Sequence, residues 1–69
     1  MGKNKEPVEV DVEVVGKSEN ALQVSDGDTT TWIPISLIDE DSDINGESDV
    51  GASGTLTLPE WKAKDAGFI

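Results

Sequence analysis

Between Pro7 and Val15 every second residue is valine (Val8, Val10, Val12 and Val14), and Glu9, Asp11 and Glu13 stand between them. Residues two apart on an extended chain point to the same face, so this segment has one apolar side and one acidic side. A helix would scatter both sets around its axis. The alternation therefore predicts a half-buried strand, with a protein layer against the valines and water against the acids. Val15 breaks the period, and Gly16 behind it permits a bulge or a turn. Lys17-Ser18-Glu19-Asn20 reads as a turn.

The rest of the chain supplies partners for that strand. Ala21-Leu22-Gln23-Val24 predicts a second strand, and Asp26-Gly27 supplies the positive φ that a tight hairpin needs. Thr30-Thr31-Trp32-Ile33 returns as a third strand, rich in β-branched and aromatic residues. Pro34, with no N–H to give, ends the pairing or marks an edge. Ile35 to Ile38 continues as a bent strand or a single helical turn. Val50 to Gly54 reads as small and flexible, and Thr55-Leu56-Thr57-Leu58 as another alternating strand. A short helix follows over Pro59–Ala66, with Pro59 at its first position and Glu60 on the positive end of the dipole. Gly67 closes it, and Phe68 and Ile69 fold back onto the core. The expected fold is mainly β: a small SH3-like or OB-like partly open barrel of four to five strands with one short C-terminal helix covering it. Residues 1–6 are expected to be a frayed terminus and 7–69 a single small domain.

Composition limits function. A chain of 69 residues has room for one domain, which buries only about 60% of its unfolded surface. It has no Cys, so disulfides, thiolate zinc sites and cysteine nucleophiles are excluded. It has no His, the usual metal ligand and general base. A small barrel without a cleft-forming second domain is a poor place for carboxylate catalysis, and the reading is a non-enzyme with no cofactor. Fifteen acidic residues against five lysines give a formal charge of −10, with no Arg at all. That balance argues against direct nucleic-acid binding, which needs cations to neutralise phosphates, and against an anionic membrane surface. It suits a basic protein surface as partner. The N-terminal residues show no apolar signal run, and Glu6 stands where a myristoylation motif needs Ser or Thr, so a cytoplasmic location is expected.

The densest charge lies in residues 39–49, where Asp39, Glu40, Asp41, Asp43, Glu47 and Asp49 fall among eleven residues with no cation. Like charges this close repel, so the loop is expected to be solvated, to hold a cation, or to meet a basic partner without holding the core. Asp41, Asp43 and Asn45 alternate as in a calcium loop, Gly46 stands where the sharp turn needs glycine, and Asp49 could take the ninth position. Ala52 occupies the twelfth position, where a bidentate Glu belongs, so the match makes at most a weak Ca²⁺ site. The chain has only three aromatic residues, so Trp32 is expected in the core rather than on a stacking surface. Trp61, on the helix, is expected to pack against the barrel; if either tryptophan is exposed, Trp61 is the better candidate for an aromatic contact. Lys62 and Lys64 are expected to complement the helix dipole.

The hairpin Ala21-Leu22 … Val24 … Asp26-Gly27 followed by Trp32-Ile33-Pro34 resembles short acidic proteins encoded by phages and prophages, as do Leu58-Pro59-Glu60-Trp61 and Gly67-Phe68-Ile69 near the end. The resemblance implies a virus-derived gene in a bacterial host and carries no catalytic residues. The expected function is an acidic module acting by protein–protein contacts, in a sharper form a nucleic-acid mimic that inhibits a host system. The rival reading is a structural or assembly component of a phage particle. One expectation follows from charge alone. Self-repulsion is stronger in the compact state than in the extended chain, so the melting temperature should rise with added sodium chloride. A flat or falling curve between low and moderate salt would remove self-repulsion as a significant cost.

Overall fold

The computed structural model describes residues 7–69; the expected frayed terminus, residues 1–6, lies outside them. Four antiparallel strands form one sheet: β1 (Pro7–Lys17), β2 (Ala21–Ser25), β3 (Thr30–Pro34) and β4 (Ser53–Pro59), in the order β3-β2-β1-β4. A 3₁₀ turn, Ile35–Leu37, follows β3, and helix α1 (Glu60–Ala66) follows β4. The mainly β fold with one short C-terminal helix is as expected. The sheet is open, with β3 and β4 as its two edges.

The valine row sets the inner face. Val10 stands opposite Leu56 and Val8 opposite Leu58 on β4, while Val14 stands opposite Val24 on β2. Leu22 stands opposite Ile33. Val12, Val14, Leu22, Val24, Ile33, Leu56 and Leu58 are all buried. A fully buried side chain of this kind contributes about 1.5–3 kcal/mol by leaving water. The register slips between Val14 and Gly16, so Val15 is the extra residue of a bulge and lies 41% exposed. The bulge lets β1 resume pairing after its alternation has failed.

Trp32 is not in the core. Ile33 must point inward to meet Leu22, and neighbours on a strand alternate, so Trp32 points to the opposite face beside Gln23. It is 45% exposed.

The inner face is roofed from two sides. Helix α1 contributes buried Ala63, and Ala66 and Phe68 pack against the same core. The helix ends in a Schellman arrangement: the Phe68 N–H donates to the Ala63 carbonyl (2.9 Å) and the Gly67 N–H to that of Lys64 (3.2 Å), with Gly67 at φ 89°. Pro59 stands one residue earlier than expected, as the extended residue before the helix rather than its first turn.

The acidic segment supplies the second part of the roof, so it does hold the core. Ile44 is only 2% exposed and belongs to the core cluster; Ser42 is buried beside it. The segment runs along the free edge of β4. The Asp39 N–H donates to the Thr57 carbonyl (2.9 Å), and the Ile44 N–H to that of Thr55 (3.1 Å). The Thr57 N–H donates to Ser42 Oγ (2.9 Å), whose own hydroxyl donates to the Ile44 carbonyl (2.6 Å). These bonds satisfy edge groups as a fifth strand would, without one being formed. The stretch Val50–Ala52 is likewise tied down rather than loose. Val14 receives the Gly51 N–H (2.7 Å) on its carbonyl and donates its own N–H to Ala52 (2.8 Å), and Gly51 turns at φ 100°.

Ile44→Ala should therefore cost about 2–5 kcal/mol of stability, the range for opening a cavity at a buried aliphatic residue. Ser42→Ala should cost about 1–3 kcal/mol, because the Thr57 N–H loses its acceptor. Urea unfolding of both variants checks this; losses near zero would mean that the segment merely lies on the surface.

Candidate functional site

The segment 39–49 folds so that its charges and its core contacts separate by position. Ser42 and Ile44 face the sheet, while Glu40, Asp41, Asp43, Glu47 and Asp49 are exposed and Asp39 is half-buried. Asp39 Oδ1 accepts the Asp41 N–H (2.8 Å), which turns the chain at the start of the strap. Asn45 is engaged locally: its Oδ1 accepts from the Glu47 N–H (2.9 Å) and its Nδ2 donates to the Ser42 carbonyl (3.4 Å). The calcium-like candidates Asp41, Asp43, Asn45 and Asp49 are not brought together. Among the described residues no group of three or more acidic side chains is placed to hold a metal ion. Gly46 is present for space rather than for a positive φ: a Cβ there would come within 2.9 Å of Ile35 Cγ2.

A second acidic arrangement lies on the outer face of the sheet. Glu9, Asp11 and Glu13 project there along β1. Glu13 is flanked by Ser25 on β2 and Ser53 on β4, and Asp11 by Thr55, whose hydroxyl donates to Asp11 Oδ1 (3.4 Å). The β2–β3 hairpin brings Asp26 and Gly27 to the same place. The result is an open depression of about 460 Å³ lined by Asp11, Val12, Glu13, Ser25, Asp26, Gly27, Ser53 and Gly54. Three acids and two serines are among its lining residues, types whose oxygens accept hydrogen bonds from a Lys or Arg head group. The outward acids of β1 follow from the alternation. The arrival of Asp26 does not, because it depends on where the hairpin ends against β1.

The hairpin itself is built by Asp26. Its Oδ1 accepts the N–H groups of Asp28 (2.9 Å) and Thr29 (2.8 Å), the Gly27 N–H donates to Ser25 Oγ (3.1 Å), and Gly27 turns at φ 108°. Bonds from the Thr29 N–H first, then from Asp28, favour the carboxylate and hold the Asp26 pKa below the ordinary aspartate value.

Two ion pairs occur among the described residues, Lys62–Asp65 (3.2 Å) and Lys64–Glu60 (3.7 Å), and both lie within α1. The lysines thus neutralise their own helix, and neither reaches the outer face or the strap. Trp61 does not pack down against the sheet as expected but is 56% exposed on the helix, and Trp32 is exposed as well. No helix of the described residues is long and apolar enough to cross a membrane. Comparison with known proteins found no matching family model, no matching curated protein and no matching solved structure.

The Asp26 geometry carries a pH dependence. The folded pKa lies below the unfolded one, so these bonds stabilise the hairpin above the unfolded value and are lost as pH falls through the folded one. The difference in melting temperature between wild type and Asp26→Ala should be largest near neutral pH and shrink as the solution is taken well below pH 4. A difference independent of pH would show that the carboxylate charge plays no part in the turn.

Proposed function

We propose that this chain is an acidic binding module that engages a basic protein surface. The observation that carries the reading is the outer-face depression. Asp11, Glu13 and Asp26 line it together with Ser25 and Ser53, and no described cation pairs with the three carboxylates. A Lys or Arg side chain entering it would gain charge-assisted hydrogen bonds. Trp32 stands on the same face, an exposed aromatic of the type that dominates interface energies. The outward acids of the strap, Glu40, Asp41, Asp43, Glu47 and Asp49, add a long-range field that steers a positive partner toward the molecule. The setting that accompanies this reading, by resemblance to phage-encoded proteins, is the cytoplasm of a bacterial host.

A sharper form of the same reading is a nucleic-acid mimic. Glu9, Asp11 and Glu13 form a row of negative charges on one face of β1, repeating at roughly 6.6 Å. Such a row competes for Lys/Arg grooves that otherwise take phosphates.

The test begins with a pull-down from the bacterial host, washed at low and then high salt, followed by kinetics with the recovered partner. Neutralising the strap at Asp39, Glu40, Asp41, Asp43, Glu47 and Asp49 with Asn or Gln should slow association and flatten its salt dependence, with the fold kept. Asp11→Asn with Glu13→Gln should instead shorten the lifetime of the complex. The reading fails if every partner survives the high-salt wash undiminished, or if both neutralised sets bind like wild type.

A further inference from the structure

The two edges of the sheet are treated differently. The strap closes the β4 edge with hydrogen bonds from Asp39 and Ile44 and to Ser42. At the other edge, β3, no described group outside the sheet bonds to the backbone of Thr30 or Trp32.

The register shows which groups β3 leaves open. Asp26 donates its N–H to the Thr29 carbonyl (3.1 Å), which makes that pair a hydrogen-bonded one. Hydrogen-bonded and non-bonded pairs alternate along an antiparallel ladder. Val24–Thr31 and Leu22–Ile33 therefore bond across the β2–β3 seam, and Ser25–Thr30 and Gln23–Trp32 do not. The N–H and C=O groups of Thr30 and Trp32 consequently point outward, away from β2. Pro34 ends this frame because it has no N–H.

The charges around the edge say what could fill it. Asp26 and Asp28 stand at the hairpin end of β3. Glu19 stands at the other, where an open depression of about 410 Å³ is lined by Glu19, Asn20, Pro34, Ile35 and Ser36. β3 itself, Thr-Thr-Trp-Ile-Pro, is uncharged. A second copy pairing antiparallel on this edge would set the Asp26/Asp28 end of one chain against the Glu19 end of the other, with ten net negative charges on each chain. Like charges facing at both ends disfavour that occupant. An extended segment with a basic residue at each end meets an acid at each end.

We propose that the β3 edge receives an extended, lysine- or arginine-flanked segment of the partner protein as an added strand. Thr30 and Trp32 give the backbone bonds, Trp32 packs against a side chain at the middle of the segment, and the acidic ends fix its register. This rests on the reading of the chain as an acidic module for basic partners, and it states where and in what conformation such a partner is gripped.

The experiment uses the whole chain and a capped synthetic heptapeptide, Lys-Val-Thr-Val-Thr-Val-Lys, followed by amide resonances and hydrogen exchange. Millimolar peptide should shift the Thr30 and Trp32 amides most and protect both from exchange. N-methylating alternate peptide amides should abolish the effect, and a Glu-flanked version should not bind. Thr30→Pro removes an outward N–H that makes no bond to β2, so the fold should persist while binding weakens roughly five- to tenfold, as for one hydrogen bond. An amide spectrum of the variant checks the fold. If the Lys-flanked peptide instead shifts the strap or the outer-face depression and leaves Thr30 and Trp32 exchanging freely, the edge proposal is overturned while the acidic-module reading stands. Failure of the Lys-flanked peptide to bind anywhere overturns both. Self-association abolished by Thr30→Pro would make a second copy the occupant and overturn the proposal.

Discussion

A single sheet with one apolar face must have that face covered, and this chain has little material with which to cover it. The valine row of β1, with Leu22, Val24, Ile33, Leu56 and Leu58, makes an inner surface wider than the seven-residue helix α1 can roof alone. The segment between β3 and β4 completes the cover with Ile44. It can do so only because Ser42 and the backbone of Asp39 and Ile44 satisfy the β4 edge as they pass. Burial of Ile44 and closure of the edge are thus one interaction. Without the edge bonds, bringing the strap down would strand backbone polar groups away from water. Without Ile44, those bonds would hold a highly charged segment against the sheet with little apolar gain to offset its repulsion.

Most of the frame was legible in the residues. The period of two in β1 and β4, the Asp26-Gly27 turn, the stop at Pro34 and the glycine closing α1 each reflect a local requirement that one or two residues express. The bulge at Val15 was legible as a broken period. The strap was not, because its inward positions are one apolar residue and one serine set among acids, and charge density reads as solvation. Its cue was the alternation Asp41, Ser42, Asp43, Ile44, which is strand-like although no strand forms. Trp32 lies outward for a different reason. Counting aromatic residues favoured a core position, but parity along β3 decides, and inward Ile33 forces Trp32 outward.

The site was partly legible as well. Glu9, Asp11 and Glu13 lie on the polar side of β1 in any register. Their company with Asp26 and the two serines depends on β2 ending where it does, which a sequence pattern does not show. Gly46 fits the pattern of a cation loop, yet its neighbour in space is Ile35, and that close approach explains the glycine. Among the described residues the two helix lysines are paired with the helix's own acids, and the acids of the sheet, the hairpin and the strap are left without an ion pair.

The inequality of the two sheet edges also limits how large an assembly can become. Edge-to-edge growth of sheets into fibrils needs two open edges on each molecule, one to add to and one to be added. Here the β4 side is closed by the molecule's own backbone, and the exposed frame of β3 is cut short at Pro34 after five residues. A strand that joins at β3 cannot pass the pairing on through β4, whose outward groups are already bonded to the strap. The molecule can take up a strand at β3 without offering β4 as the template for the next one.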